Sequence, residues 1–401
     1  MTKEEMAQYA YENVPFYQKL LKNLPQSWND YPVVDKRMFL DDIDSCLAPQ
    51  YMMDYLTGGL EKVLTSGSTG DCLEIWWKKD QQVLSLLPLW VRRKRYYGIS
   101  PQDKRCYFFT TKIVNGEEIQ FEETTYGLGF GKMDLSEERI LSMYAKMLAF
   151  RPKWMIVQPS MIQLLMNVIE KHDLQKLPEL TYIELTGERV KRETKVKIRE
   201  FFGCNVASQY GCYEVNSIAY ECPYGNMHIM GENVYAEVLG EDEICVTSLQ
   251  NKVMPFIRYK IGDRGKIFYD QECSCGCKEP IIELNMAREN DWIYNQDGTV
   301  SHSDMFCHVI DCINLTLEQA VSQYQIVQVA YDEFEVHLVV QEKRERPLVQ
   351  ELFIKHIGKY QLEGKYEFFF VDYLYPSEKT GKLAWFISVG NCETRQARSQ
   401  Y

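Results

Sequence analysis

Six consecutive residues combine the side chains and the backbone freedom that phosphate binding needs. They are Thr65-Ser66-Gly67-Ser68-Thr69-Gly70, and the apolar pair Val63-Leu64 precedes them. Glycines let the backbone approach an anion closely, while hydroxyls and free N–H groups donate hydrogen bonds to phosphate oxygens. No Gly-Lys-Ser/Thr follows, so the segment is not a Walker loop. Taken alone, the hexamer is equally typical of a surface turn or a flexible linker.

A second group of residues has the types and spacing of metal ligands. Cys273, Cys275 and Cys277 lie within five residues of one another, and Cys222 and His228 precede them. Zn²⁺ prefers four thiolate or imidazole ligands in a tetrahedron, and Cys₃His is a common structural set. The residues alone leave two alternatives open, a zinc site or a group of free buried thiols in a reducing cytoplasm.

Such residues must be positioned by regular elements, and the middle of the chain predicts alternating strands and helices. Apolar runs at 153–157, at 180–185 and from 205 onward are typical of strands, and helical spacing occupies 161–169 and 190–202. This order predicts a parallel sheet with right-handed crossovers. Ligands of such sheets collect at the carboxyl ends of the strands. Those ends carry Gln158-Pro159-Ser160, Thr186-Gly187-Glu188 and Gln209-Tyr210-Gly211-Cys212-Tyr213-Glu214.

Two further regions differ in pattern from this alternation. Beyond about residue 230 the strands shorten, as at 234–239 and 243–248, which predicts an antiparallel or barrel-like subdomain. From residue 291 onward, strands at 325–330 and 335–340 and a helix at 349–357 predict a separate α+β module of roughly a hundred residues.

Composition excludes several classes of protein. The chain has 401 residues, and 57 acidic against 45 basic side chains give a net charge of −12, which argues against a dedicated nucleic-acid or anionic-membrane binder. Hydrophobic residues at 45% and charged residues at 25% are globular proportions. No stretch reaches membrane-spanning length, and the first residues lack the apolar run of a signal peptide, so a cytoplasmic protein is expected.

Taken together, the motifs resemble the adenylate-forming enzyme superfamily, and within it the branch of phenylacetate–coenzyme A ligases and CapK-like proteins. Five motifs occur here in the same order as in the superfamily. They are the hexamer at 65–70, Tyr210-Gly211-Cys212-Tyr213-Glu214, Tyr259-Lys260-Ile261-Gly262-Asp263, Arg288, and Pro376 with Gly381-Lys382. Four short segments are similar to segments of that branch: Val14-Pro15-Phe16-Tyr17, Glu221-Cys222-Pro223, Met227-His228-Ile229 and Met254-Pro255-Phe256-Ile257-Arg258-Tyr259. The joint order makes chance agreement improbable.

The resemblance implies an α/β fold with two domains. A large N-terminal domain at 1–288, with parallel α/β sheets and a barrel-like subdomain, would bind ATP and a carboxylic acid. A small mobile α+β lid at 289–401 would follow it. Family members activate a carboxylic acid with ATP and Mg²⁺ to an acyl-adenylate, release pyrophosphate, and pass the acyl group to a thiol such as coenzyme A. An aromatic or other small carboxylic acid is the family expectation.

Alternatives remain within the same resemblance. After adenylation the acceptor would be an amine, a carrier protein or another group, or the chain would be a nucleotide-binding protein that has lost the catalytic cycle. No nucleic-acid or membrane partner is expected, and a homodimer is compatible with the resemblance.

Site residues follow from the resemblance, position by position. Lys382 and Glu214 are the expected catalytic residues: Lys382 bridges the acyl carboxylate and the α-phosphate, and Glu214 ligates Mg²⁺. Tyr210 is expected to stack on adenine and Asp263 to accept hydrogen bonds from the ribose hydroxyls. The expected ATP-binding residues are Thr65, Ser66, Gly67, Ser68, Thr69, Gly70, Glu188, Tyr210, Gly211, Tyr213, Asp263 and Arg288. The expected acid pocket is Tyr126, Gly127, Thr186, Ala207, Ser208 and Cys212.

The branch also contains a similar Cys…His…Cys-x-Cys arrangement. It favours Cys222, His228, Cys273 and Cys275 as ligands of a structural zinc ion, with Cys277 as a substitute ligand. The acidic chain further contains a basic run, Arg92-Arg93-Lys94-Arg95. It is interpreted as a solvated helix face, and contact with the phosphates of coenzyme A is the alternative.

Four positions depart from the family pattern. Cys72 stands where the loop usually carries proline, and Tyr213 where the adenine-side motif carries threonine. Ala287 replaces the hinge glycine and Asn290 an acidic hinge residue. Alanine is stiffer than glycine, so the departures at the hinge motivate the alternatives for the second step.

Overall fold

The computed structural model describes most of the chain in segments. These are residues 1–64, 73–109, 113–114, 117–131, 136–187, 192–240, 242–284, 292–296, 299–317, 320–340, 342–360, 362–371 and 386–387. The helices within them are α1 (Lys3–Asn13), α2 (Pro15–Leu20), α3 (Lys36–Asp41), α4 (Met52–Leu56), α5 (Lys79–Tyr97), α6 (Glu137–Phe150), α7 (Pro159–Lys171), α8 (Arg192–Phe202), α9 (Asp304–Thr316) and α10 (Arg346–Ile357). None of these helices is both long and apolar enough to cross a membrane.

The strands predicted at 153–157, 180–185, 234–239 and 243–248 are present within about two residues of their predicted bounds, together with strands that the sequence does not predict. They are β1 (Leu60–Leu64), β2 (Glu74–Lys78), β3 (Arg105–Phe109), β4 (Ile113–Val114), β5 (Glu117–Glu118), β6 (Phe121–Glu123), β7 (Gly127–Gly131), β8 (Trp154–Val157), β9 (Tyr182–Leu185), β10 (Asn205–Cys212), β11 (Asn216–Glu221), β12 (Met227–Ile229), β13 (Val234–Leu239), β14 (Glu243–Ser248), β15 (Tyr259–Phe268), β16 (Ile281–Leu284), β17 (Trp292–Tyr294), β18 (Val300–His302), β19 (Val321–Ala330), β20 (Glu333–Val340), β21 (Lys365–Phe370) and β22 (Phe386–Ile387).

One continuous sheet contains most of the strands before residue 285. Its order among the described residues is β13-β14-β15-β16-β12-β11-β10-β9-β8-β3-β7-β6. Strands β7, β3, β8, β9 and β10 pair in parallel, with α7 and α8 as crossovers, as the sequence predicts. From β10 onward the pairing with β11 and its neighbours is antiparallel. The strands expected to form a barrel-like subdomain therefore prolong the parallel sheet.

A second, smaller sheet lies near the end of the chain. Its order is β21-β20-β19-β22, and the apolar faces of α9 and α10 share a core with it, around Phe306, Phe334 and Phe353. This is the α+β composition that the sequence predicts for the last hundred residues. The domain boundary expected at residue 288 lies outside the described residues.

Helix α5 packs on the large sheet through charged side chains. Arg92 and Arg93 are each only 6% exposed, which corrects the interpretation of the basic run as a solvated face at these two positions, whereas Lys94 and Arg95 are exposed. Arg93 donates to both carboxylate oxygens of Glu184 at 2.7 and 2.5 Å, and Arg92 donates to Glu232 at 3.2 Å. The partners are about ninety and more residues away in sequence, so a pattern local to the helix does not reveal them.

The Arg93–Glu184 pair is enclosed by aromatic side chains. Burial alone would lower the pKa of Arg93, but the charge of Glu184 outweighs it and raises that pKa, so the guanidinium stays charged. The rings of Trp90 and Trp154 cover the guanidinium at 4.6 and 5.0 Å. Tyr220 donates its hydroxyl to Glu184 at 3.0 Å. The pair is thus satisfied on both sides, which a buried pair must be to be stable.

Removing one partner of this pair should destabilise the fold far more than removing an exposed pair. Arg93→Met leaves Glu184 buried without its counter-charge, and we expect the free energy of unfolding to fall by about 3–5 kcal/mol. The matched control is Arg37→Met, because Arg37 and Asp41 form a 4.0 Å pair whose side chains are 77% and 72% exposed; its cost should stay below about 1 kcal/mol. Denaturant unfolding measures the free energy of unfolding of both variants. Equal losses in the two variants would contradict a stabilising role for the buried Arg93–Glu184 pair.

Candidate functional site

Two segments that are distant in sequence meet through reciprocal hydrogen bonds. Tyr210, in β10, donates its hydroxyl to Oδ2 of Asp263, in β15, at 2.7 Å. In return Tyr259, also in β15, donates its hydroxyl to Oε1 of Glu214 at 3.1 Å. The structure therefore brings together the residues predicted for adenine, ribose and Mg²⁺ contacts. Each segment supplies the tyrosine that orients a carboxylate of the other.

Burial keeps both tyrosines protonated. It raises the pKa of Tyr210 well above its ordinary value, and the charge of Asp263 raises it further. Burial likewise raises the pKa of Tyr259, with the charge of Glu214 acting in the same direction. Glu214 is only 8% exposed. It presents oxygen ligands of the kind that Mg²⁺ prefers.

A bulge in the β10–β11 hairpin turns these side chains into place. The register shifts between Tyr210 and Gly211, and Gly211 then pairs with Ser217. A Cβ at Gly211 would overlap the carbonyl oxygen of Asn216, so no other residue fits here without a shift of the backbone. This explains why glycine must follow Tyr210 in the motif.

The predicted phosphate hexamer connects the two strands of a hairpin. Strands β1 and β2 pair so that Leu64 faces Glu74, and residues 65–72 between them lie outside the described residues. Trp77, fully buried in β2, donates its indole N–H to the carbonyl oxygen of Tyr213 at 3.3 Å. The base of the hairpin is therefore fixed to the turn that carries Glu214. Tyr213 itself is 51% exposed.

The acid-pocket candidates divide between two edges of the sheet. Thr186 follows β9 and donates its hydroxyl to Oε1 of Gln209 in β10 at 2.6 Å, and Ser208 and Cys212 lie in the same stretch of β10. Gly127, by contrast, pairs with Arg105, the first residue of β3. Tyr126 and Gly127 therefore lie at the amino edge of the parallel strands, and the structure does not bring them to Thr186. Parallel pairing of β7 with β3, which local pattern does not reveal, is the reason.

Ala207 is buried differently from the other candidates. It is fully buried in a cluster with Trp154, Tyr182 and Tyr220 beneath α5. Several predicted residues lie outside the described residues: Thr65, Ser66, Gly67, Ser68, Thr69, Gly70, Glu188, Arg288 and Lys382, together with the departures Cys72, Ala287 and Asn290.

The four predicted zinc ligands converge at the antiparallel side of the same sheet. Cys222 follows β11, His228 lies in β12, and Cys273 and Cys275 lie in the connection from β15 to β16. Their ligand atoms lie within 4.8 Å of one another. The sulfurs of Cys222 and Cys273 are 3.7 Å apart. Zn–S bonds of about 2.3 Å in a tetrahedron place two sulfurs about 3.8 Å apart, so the spacing fits zinc.

Neighbouring groups prepare these ligands for a cation. Nδ1 of His228 donates to the carbonyl oxygen of Glu279 at 3.0 Å, which leaves Nε2 to face Cys275 at 3.2 Å. Burial opposes ionisation of Cys273, but hydrogen bonds from the backbone N–H of Cys275 and the amide of Asn226 outweigh it and lower its pKa to about 6. A thiolate is the form that binds zinc.

Cys277, the proposed substitute, is outside this group of four among the described residues. Its backbone N–H instead donates to the sulfur of Cys275 at 3.3 Å. Gly276 has a φ of 75°, a left-handed conformation that glycine adopts readily, and it follows Cys275, whose sulfur lies 3.2 Å from Nε2 of His228.

A carboxylate to which the sequence assigns no role of its own links the predicted zinc ligands to the carboxyl edge of the parallel strands. Glu221 precedes Cys222, and its side chain accepts hydrogen bonds from Nζ of Lys195 at 2.5 Å and from the backbone N–H of Ser208 at 2.7 Å. Its position beside a predicted ligand was the available signal. The sequence offers no comparable signal for Trp77 and Gln209, because only the fold brings them to their hydrogen-bond partners, Tyr213 and Thr186.

Known proteins resemble this chain over most of its length. The phenylacetate-coenzyme A ligase of Thermus thermophilus is 22% identical over 378 residues, which cover 87% of this chain and 82% of that enzyme. No protein-family model matches the sequence. This match makes the chain a distant homologue of that ligase.

Solved structures show the same fold. A 2-hydroxyisobutyryl-CoA ligase in its thioesterification state, in complex with 2-HIB-AMP and CoA, superimposes with a TM-score of 0.57 at 17% identity and covers 99% of this chain and 91% of that one. Its postadenylation state, in complex with R3-HIB-AMP, gives a TM-score of 0.56 at 16% identity, with 96% and 88% coverage. The mixed α/β fold predicted from the sequence is confirmed.

Metal content should separate the ligands from the neighbouring thiol. We expect protein purified without chelators to contain about one zinc ion per chain. Cys273→Ser should remove most of that zinc and lower the melting temperature, because folding and binding are coupled. Cys277→Ser is the matched control and should keep the metal. Elemental analysis of all three proteins decides: well under one zinc per wild-type chain, or equal zinc in both variants, would reject the site.

Proposed function

We propose that this chain is a member of the adenylate-forming enzyme superfamily, on the strength of its resemblance to the Thermus thermophilus ligase and of the shared fold, and that it activates a small carboxylic acid with ATP and transfers the acyl group to the thiol of coenzyme A. The reaction type is that of an AMP-forming acyl-CoA ligase. The proposal includes the division into a large domain at 1–288 and a small domain at 289–401.

The observation that carries the proposal is the reciprocal pairing of Tyr210 with Asp263 and of Tyr259 with Glu214. A ring held through its hydroxyl presents its face in one orientation, which suits stacking of Tyr210 on adenine. Asp263, with one oxygen engaged by Tyr210, has acceptor capacity left for ribose hydroxyls. The pairing supports a nucleotide site at this point of the sheet, although the two segments are about fifty residues apart.

Charge must be balanced locally in this acidic chain. Glu214 would hold Mg²⁺, which offsets phosphate charge when it is bound. Hydroxyls and N–H groups of Thr65, Ser66, Ser68 and Thr69 would hold the β- and γ-phosphates. The base of the β1–β2 hairpin, which Trp77 fixes to the turn that carries Glu214 through the carbonyl oxygen of Tyr213, supports this role because the hexamer directly follows β1 in sequence.

Two displacements make up the proposed reaction. In the first, an oxygen of the acid carboxylate attacks the α-phosphorus of ATP, and the bond to pyrophosphate breaks. In the second, a thiolate attacks the carbonyl carbon, the thioester forms, and AMP leaves. We assign Lys382 to the first step, where its ammonium would stabilise charge shared between the carboxylate and the α-phosphate.

Zinc would have a structural role. Four protein ligands close a tetrahedral site and leave no position for substrate. The Cys222, His228, Cys273 and Cys275 group would therefore pin β11, β12 and the β15–β16 connection together.

The proposed function is tested by acid-dependent exchange of labelled pyrophosphate into ATP over a panel of small carboxylic acids, with coenzyme A present and absent. We expect exchange with at least one acid and a thioester when coenzyme A is added. Lys382→Ala should lower exchange by about 100-fold or more, as expected when transition-state charge loses its partner. Lys355→Ala, an exposed lysine of α10, is the control. Folded protein that shows no exchange with any acid would reject the function.

Tyr259 should act as a positioning residue for Glu214. Tyr259→Phe keeps the buried ring but removes the hydroxyl that holds the carboxylate, a loss of about 1–3 kcal/mol. We expect the Mg²⁺ concentration for half-maximal exchange to rise roughly tenfold or more, since 1.4 kcal/mol corresponds to a factor of ten. Tyr331→Phe, at a 57% exposed position, should change nothing. An unaltered Mg²⁺ requirement in Tyr259→Phe would remove Tyr259 from this role.

A further inference from the structure

Helix α5 turns an apolar face outward. Its exposed residues recur every three or four positions, and those in the middle of the helix are Val83, Leu84, Leu87 and Val91. Each of the four is between 49% and 64% exposed. In α6, by contrast, the exposed residues are Glu137, Glu138, Ser142, Ala145 and Ala149. Surface helices normally expose polar residues, so a row of large apolar side chains marks an interaction surface.

The opposite face of α5 holds the helix in place on the large sheet. Ser85, Leu89 and Arg93 are buried, and Arg93 pairs with Glu184. In a helix of 3.6 residues per turn these three positions lie about 120–160° around the axis from Leu87. The apolar face around Leu87 is therefore presented to solvent in one fixed orientation.

The apolar row begins with an acidic residue and ends with a basic one. Asp80 and Lys94 are both exposed, and each lies about 20° from the line of Leu87 and about 10 Å from it along the axis. One oxygen of Asp80 accepts from the backbone N–H of Gln81 at 2.8 Å, and Lys94 donates to the hydroxyl of Ser100 at 3.1 Å. A carboxylate and an ammonium both have capacity for further partners.

This row is complementary to its own reversed copy. Asp80 and Lys94 lie seven residues before and after Leu87, and Val83 and Val91 lie four residues before and after it. If a second α5 packs antiparallel about a two-fold axis at Leu87, Val83 of each copy faces Val91 of the other. Asp80 of each copy likewise faces Lys94 of the other, and the two helix dipoles oppose one another, which is favourable.

A further exposed apolar pair lies near the start of α5. Lys78, which immediately precedes the helix, pairs with Asp54 of α4 at 3.7 Å, and Met53 and Leu56 of the same short helix are exposed. A stable interface buries about 800 Å² on each partner. The side chains of α4 supply apolar area beyond that of the helix pair.

We propose that the outward face of α5 is the interface of a homodimer, in which α5 packs antiparallel against α5 of a second copy of this chain. The charges determine the occupant. A membrane surface or a partner of one sign would meet either Asp80 or Lys94 with the wrong charge, whereas a reversed copy matches both ends. This interface is independent of the proposed reaction.

The first experiment measures the mass of the protein by sedimentation equilibrium between about 1 and 100 µM, the range in which small interfaces associate. We expect the wild-type protein to approach twice the 47.2 kDa of one chain. Leu87→Asp places two carboxylates opposite each other at the centre of the interface and should raise the dimer Kd by about 100-fold or more. Ile354→Asp is the control, because Ile354 is a similarly exposed apolar residue of α10; it should leave the dimer Kd unchanged.

The second experiment tests the antiparallel arrangement by exchanging charges. Asp80→Lys and Lys94→Asp each create two like-charge contacts, and each alone should raise the dimer Kd roughly tenfold. The double variant Asp80→Lys/Lys94→Asp should return it to within about threefold of the wild-type value. When the two single variants are mixed, they should form a heterodimer in preference to either homodimer, because all charge pairs are then opposite. Circular dichroism checks that the variants are folded.

Three results would overturn the inference. The first is a wild-type chain that stays monomeric over the whole concentration range; binding of that monomer to lipid vesicles would then assign the face to a membrane surface. The second is a dimer whose Kd Leu87→Asp leaves unchanged, which would place the interface elsewhere. The third is a mixture of the two single variants without preference for the heterodimer, which would exclude the antiparallel pairing. All three leave the proposed function standing, since exchange of pyrophosphate is measured separately.

Discussion

The buried ion pair between Arg93 and Glu184 is the contact on which the arrangement of the large sheet depends. Two charges removed from water are costly unless they meet with good geometry, so helix α5 has one favourable position on the sheet. The last turns of the helix extend this constraint. Arg95 donates to the carbonyl oxygen of Cys275 at 3.3 Å and Tyr97 to that of Glu221 at 2.9 Å. One helix thereby ties the parallel strands to the segments that carry the zinc ligands.

The proposed nucleotide site depends on a second constraint, the change from parallel to antiparallel pairing at β10. Because β10 pairs with β9 on one side and β11 on the other, its carboxyl end lies beside Thr186 and also begins the hairpin that carries Glu214. The acid-pocket candidates and the predicted magnesium ligand are therefore only a few residues apart on one strand. The hydrogen bond from Tyr210 to Asp263 then fixes the distance between this strand and β15.

Sequence patterns predict features that depend on neighbouring residues, such as helices and strands. They do not predict features that depend on which strands and side chains pair across the fold. Alternating apolar runs gave the parallel strands and crossover helices, and ligand types at short spacing identified the Cys₃His group. Strand order is not a local property, so the sequence does not show that Tyr126 and Gly127 lie at the opposite edge of the parallel strands from Thr186. The burial of Arg92 and Arg93 depends in the same way on Glu232 and Glu184, which only the fold brings near.

The predicted metal site is linked to the carboxyl edge of the parallel strands, which it does not touch. Cys222 belongs to the zinc group, and the preceding residue, Glu221, holds the backbone N–H of Ser208 at 2.7 Å and the ammonium of Lys195 at 2.5 Å. Glu221 is nearly buried, so it cannot exchange these partners for water without cost. Loss of the metal ligands' contacts would release the β11–β12 turn. Glu221 would then move, and the backbone of Ser208 would lose the hydrogen bond that holds it in place. A metal ion bound there would therefore stabilise the carboxyl edge around Ser208 through one carboxylate, without touching it.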